Sequence, residues 1–122
     1  MRMWMIDPAL MCNKHLLGEH GEIHKFLPSF RKKVSITGRM SPVVQIEPLA
    51  LKARHDELAA EMLRRWPKSD GHASPLDVDV NQLFHYLPPA ERNAKVDVRH
   101  SHNDLISRCP LCRERIQSSK EK

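Results

Sequence analysis

Apolar residues recur at helical spacing in three stretches of the chain. In the first, Ala9, Cys12, Leu16, Ile23 and Leu27 fall in one stripe at about 100° per residue. Asp7-Pro8 predicts its start, an N-cap followed by proline in the first turn. Leu27-Pro28 predicts its end, because the residue before proline leaves the α region. In the second stretch Leu51, His55, Leu58, Met62 and Trp66 form a seam, predicting a helix from about Pro48 to Trp66 that packs on the first. In the third, Asp97 caps a helix with Val98, His102, Leu105, Ile106 and Cys109 on its inner face. Pro110 interrupts it, and Arg113–Ile116 adds a final short turn. Residues 67–95 are rich in Pro, Asp, Ser and Asn, with at most a short helical piece around Asn81–Tyr86. They either wrap the helices or contact a partner. The expected fold is all-α: a compact single domain over residues 1–117 with about three helices and long irregular connections. An N-terminal arm, MRMWMI, packs on its core, and a frayed tail follows at 118–122.

The polar residues that interrupt these stripes carry more information than the stripes. Glu19 falls inside the first apolar stripe, so it must be buried and must find a cationic or hydrogen-bonding partner. Arg54 and Arg65, near the second seam, are the candidates. His15 and Glu22 sit together at the stripe's edge, two turns apart, with Lys14, Gly18 and Lys25 further round the same side. Glu19 therefore reads as structural and Glu22 as available. The plainer alternative for Glu22 is a solvated carboxylate paired with Lys25. His55 on the second seam reads as a hydrogen-bonded core histidine.

Composition narrows the choice of partner. A chain of 122 residues makes one domain. Its formal net charge of +5 suits an anionic partner such as nucleic acid. Arg31, Lys32, Lys33 and Arg39 make residues 29–46 the most basic part, suited to phosphate contact. Aromatic residues are only 5%, too few for a single-strand stacking platform. No apolar run approaches the roughly 20 residues of a membrane span, and no secretory pattern opens the chain. Three cysteines, an odd count, argue against a disulfide scaffold and for a reducing cytoplasm. Cys109-Pro-Leu-Cys112 is half of a zinc site, which Cys12 and His15 would complete if the third helix packed beside them. Buried apolar thiols are the favoured reading, and no metal or other cofactor is expected. A redox pair lacks the surrounding βαβ pattern. The spacing of His20, His24, His100 and His102 fits no closed site.

The order His15, Leu16, Glu19, Glu22, Ile23, Lys25, followed by Phe30-Arg31-Lys32-Lys33-Val34, resembles the pyrimidine-dimer DNA glycosylase/AP lyase family of the phage endonuclease V type. A second block, from Leu51-Lys52 through Arg54-His55, Glu57-Leu58 and Glu61-Met62 to Arg64-Arg65, resembles that family's second long helix. The blocks cover roughly half the chain in the right order; the rest matches weakly. Two departures stand out. Gly21 occupies the place of an arginine that precedes the family's catalytic glutamate. The family's aromatic-rich C-terminal segment is replaced by the cysteine pair.

The resemblance implies DNA repair without a metal. The α-amine of residue 1 attacks the sugar of a damaged nucleotide, expels the base, and forms an imine that permits β-elimination. Glu22 stabilises the cation and shuttles protons. In the family the amine belongs to the residue exposed by removal of the initiator methionine. Here Arg2 is too large for that processing, so Met1 itself is the expected nucleophile. An α-amine, with a pKa near 8, is a ready one. Contacts to double-stranded damaged DNA are expected from Arg2, Lys14, His15, Lys25, Arg31 and Lys32, in a protein acting as a monomer. The alternative is a noncatalytic basic nucleic-acid-binding helical module, with or without zinc.

Overall fold

The computed structural model describes residues 2–68 and 76–120. Among these, six α-helices and no strand are found: α1 (Asn13–Arg31), α2 (Leu51–Arg65), α3 (Val80–Leu83), α4 (Pro89–Arg92), α5 (Val98–Arg108) and α6 (Pro110–Lys120). The expected all-α architecture holds. None of the described helices is long and apolar enough to cross a membrane. α1 packs on α2, and α5 pairs with α6. The core between them takes Met3, Leu16, Ile23, Leu51, Leu58, Met62, Phe84 and Leu105, all fully buried.

Both ends of α1 differ from the expected ones. Asp7 does cap, accepting from the Ala9 N–H at 3.0 Å, but it caps a single 3-10 turn, Pro8–Leu10. The carbonyls that would continue that turn as α-helix are taken by side chains. Arg65 donates to Pro8 O at 3.1 Å and Met11 O at 2.8 Å, and Arg115 donates to Ala9 O at 3.0 Å. The Cys12 N–H goes to Cys112 Sγ at 3.3 Å. Cys12 is thus extended, α1 begins at Asn13, and Ala9 lies exposed rather than in the stripe. At the other end α1 runs through Pro28 to Arg31. Proline here forfeits one backbone bond in the last turn. Buried Phe30, its ring 5.1 Å from that of Phe84, repays the extra turn. The helix stops where Lys33 takes a left-handed φ of 62°. Val34 N–H then reaches Ser29 O and Lys33 N–H reaches Phe30 O, a Schellman ending.

The buried Glu19 finds Arg54. Their two parallel bonds, 2.6 Å and 2.9 Å, join α1 to α2. Arg65, the other candidate, instead pairs with Glu61 and clamps the Pro8–Leu10 turn. Residues 76–95 wrap the helix pair: Leu76, Phe84 and Leu87 are buried, and Tyr86 donates to Val34 O at 2.6 Å. The rest of the long 67–95 connection, 69–75, lies outside the described residues. On α5, Leu105 and Cys109 face inward as expected and His102 and Ile106 are half-buried, but at its start Val98 is 48% exposed and Ser101 is buried instead. Beyond Pro110 the chain forms three turns of α6 rather than one, helical through Lys120, and the last two residues of the tail expected at 118–122 lie outside the described residues.

Two measurements test these networks. Arg54→Met should lower stability to urea by about 3–5 kcal/mol by stranding a buried carboxylate, and a loss under about 1 kcal/mol would mean that apolar contacts alone hold the helices. Glu61 is held down from 4.5 to about 2, chiefly by its Arg64 bond, with burial opposing and Arg65 assisting. Its contribution is full above about pH 4.5 and is lost as pH falls towards 2. Glu61→Gln should therefore flatten that limb of the stability–pH curve.

Candidate active site

The N-terminal arm is fixed by polar bonds as well as by burial of Met3, Trp4 and Ile6. Met3 N–H donates to Gln45 O at 2.7 Å, and its sulfur accepts from Glu47 N–H at 3.4 Å. The Trp4 backbone bonds Glu19, and Ile6 O accepts from Arg54 at 2.6 Å. The buried Glu19–Arg54 pair therefore holds the arm as well as the helices. Burial raises the Glu19 carboxyl above its ordinary value, and the Arg54 guanidinium works against that rise. Met5 bends the arm with a left-handed φ of 61°.

The course of the arm brings its tip to Glu22. Arg2 N–H donates to Glu22 Oε2 at 3.0 Å. The Arg2 guanidinium bonds Asp104 of α5 at 2.7 Å and lies 4.0 Å from the centre of the Trp4 ring. Asp104 also accepts from Arg108 at 2.9 Å. Glu22 is half-buried and oriented by this backbone donor.

A second cluster adjoins this one along α1. The Trp4 ring meets His15 edge-on, with centroids 5.7 Å apart. His15 Nδ1 lies 3.2 Å from Cys12 Sγ and 3.6 Å from Cys112 Sγ, and Cys12 Sγ is 3.7 Å from Cys109 Sγ. Burial, then the charge of Lys14, lowers the His15 pKa. Burial pushes the Cys112 thiol up to about 12. Burial also acts to raise Cys109, but bonds from the Cys112 backbone and the neighbouring thiols outweigh it and leave Cys109 below its usual value. Across the helix, the rings of His20, His24 and His55 cluster in tilted and edge-on contacts with centroids 4.7–4.8 Å apart. His24 and His55 share a 3.0 Å Nε2–Nε2 contact, and His55 Nδ1 faces Asp56 at 3.0 Å, the hydrogen-bonded core histidine expected.

The predicted site residues divide accordingly. Met1 lies outside the described residues. Arg2 and Glu22 come together. Lys14 and Lys25 are exposed on α1, Lys25 one turn beyond Glu22, and Lys32 is exposed at the helix end. Arg31 sits nine residues from Glu22, which is about half-way round the helix at 100° per residue. His15 turns towards the cysteines. Sequence reasoning missed Asp104, whose i, i+4 spacing from Arg108 looks like any surface pair, and the place of the Trp4 ring between Arg2 and His15.

A family model described as pyrimidine dimer DNA glycosylase matches residues 1–72. That segment holds the arm, Glu22 and α2, and it ends before α3. Comparisons with curated proteins and with solved structures gave no match.

Gly18 and Gly21 flank Glu22 on the open face of α1, and a Cβ at either would meet nothing within 4 Å. Glycine costs a helix interior about 1 kcal/mol relative to alanine. Gly21→Ala should therefore raise unfolding stability by about that amount, measured by denaturant titration.

Proposed function

The chain belongs to the pyrimidine dimer DNA glycosylase family, and on that footing we propose that it excises damaged bases from duplex DNA and cuts the strand by β-elimination. The α-amine of residue 1 attacks C1′ of the damaged nucleotide. The C1′–N bond breaks, and the base leaves with a proton. Glu22 takes one proton from the attacking amine and gives it to O4′ as the C1′–O4′ bond breaks; the other amine proton goes to solvent, and the open-chain C1′=N imine forms. Glu22 then takes a C2′ proton, the C3′–O bond breaks, and the 3′ phosphate departs. Water hydrolyses the imine and frees the amine.

The observation that carries this reading is the 3.0 Å bond from Arg2 N–H to Glu22. The Arg2 nitrogen is joined to residue 1 by the first peptide bond of the chain, so a carboxylate bonded there is within covalent reach of the α-amine. Glu22 is the acid on the adjoining helix edge that this tip meets. The lesion class proposed is the pyrimidine dimer, with an abasic site as the minimal substrate.

The surface beside Glu22 suits a polyanion. Lys14, Lys25 and Lys32 are exposed, and the side-chain-free surface at Gly18 and Gly21 lets a phosphate backbone approach closely. Arg2 is already engaged by Asp104, so it serves the tip rather than the duplex. Access to a lesion inside a duplex requires the nucleotide to leave the stack.

Borohydride reduction on abasic-site duplex should trap one covalent adduct, mapping to residue 1. Acetylating the α-amine should abolish trapping and leave DNA binding in place. Glu22→Gln should bind DNA as before and lose strand cleavage by at least about 100-fold. No adduct from protein with an unblocked amine, or full cleavage by Glu22→Gln, would leave only a basic DNA binder. Three phosphate contacts imply that log K falls with log salt at a slope of about −3.

A further inference from the structure

We propose that Cys12, His15, Cys109 and Cys112 form a structural zinc site that pins the α5–α6 hairpin to the start of α1. The four ligand atoms lie within 4.8 Å of one another in a largely buried pocket. Zinc bonds of about 2.3 Å to sulfur and 2.0–2.1 Å to nitrogen, at a tetrahedral angle, separate two sulfurs by about 3.8 Å and sulfur from nitrogen by about 3.6 Å. The observed separations are 3.7 Å for Cys12–Cys109, 3.6 Å for Cys112–His15 and 3.2 Å for Cys12–His15. These three separations are close to those the ion requires, and the remaining ones stay within 4.8 Å.

The surroundings are those of a thiolate site. Two backbone donors point at sulfur: Cys12 N–H at Cys112 Sγ, 3.3 Å, and Cys112 N–H at Cys109 Sγ, 3.4 Å. Such donors spread the charge of bound thiolates, as outer partners of a metal site do. Cys109 and Cys112 sit on either side of the break at Pro110, so one short turn presents both. Cys12 is extended out of the helical path, and His15 is one turn into α1. Soft thiolates with one imidazole in a closed tetrahedral set select zinc. The His20–His24–His55 group offers three ligand atoms and is the lesser candidate.

The site also has a consequence for the arm. His15 supports the Trp4 ring, Trp4 supports the Arg2 guanidinium, and Arg2 N–H meets Glu22. α5, paired with α6, supplies Asp104 to the same Arg2. An ion joining His15 to α6 fixes both sides of the tip.

The 122-residue chain, expressed with zinc and purified without chelator, should contain about one zinc per chain by mass spectrometry. Cys109→Ser and Cys112→Ser should each reduce this severalfold. His15→Ala, which keeps all three thiols, should weaken retention against a competing chelator. Cobalt added to metal-free protein should give intense visible bands of tetrahedral thiolate ligation, altered in His15→Ala. Chelation should lower the melting temperature, and added zinc should restore it in a concentration-dependent way. These readouts involve no DNA chemistry, so they stand or fall apart from the lyase reading. Zinc far below one per chain with no cobalt spectrum would overturn the site, as would undiminished zinc in both cysteine variants.

Discussion

The fork between Glu19 and Arg54 is the constraint on which the rest depends. Two opposite charges, 2% and 1% exposed, are placed where burial penalises each of them. Breaking either side leaves the other uncompensated, which makes the pair a strong registry device between α1 and α2. The spare donors and acceptors of the pair decide what else can pack there. Arg54 takes the carbonyl of Ile6, and Glu19 takes the backbone of Trp4. An N-terminal segment, usually the first part of a domain to fray, is thereby held by a buried ion pair.

From that anchor the arm follows a ladder of contacts along one edge of α1. The cysteine cluster holds His15, the Trp4 ring rests on His15, and Arg2 covers Trp4 while its N–H reaches Glu22. Two rungs come from far along the chain. Asp104 and the Cys109–Cys112 pair lie beyond residues 1–72, the segment that marks the family. The C-terminal third therefore braces the family-matching segment from outside it.

Much of this was legible because its physics is local. A carboxylate inside an apolar stripe demands a cation, and Glu19 announced Arg54 as one of two partners. The seam from Leu51 to Trp66 was readable for the same reason, since helical periodicity survives almost any tertiary setting. The misreadings came from distant side chains. Asp7-Pro8 is a real cap, but Arg65 and Arg115 claim the carbonyls that α-helix would need. Pro28 is a real helix breaker, but the burial of Phe30 against Phe84 outweighs one lost bond. Only the start of α5 was misjudged, because Val98 is more apolar than Ser101, yet Ser101 shares the register that brings the expected Leu105 and Cys109 inward. The meeting of Cys12 and His15 with the CxxC depended on where α6 packs, which no local signal states.

Met5 adds a last element. Its left-handed backbone is disfavoured for a residue with a Cβ by roughly 1–2 kcal/mol, so contacts on either side must impose it. The bonds with Gln45, Glu19 and Arg54 that seat the arm also hold that torsion in place, so part of their contribution offsets the bend and does not add to stability.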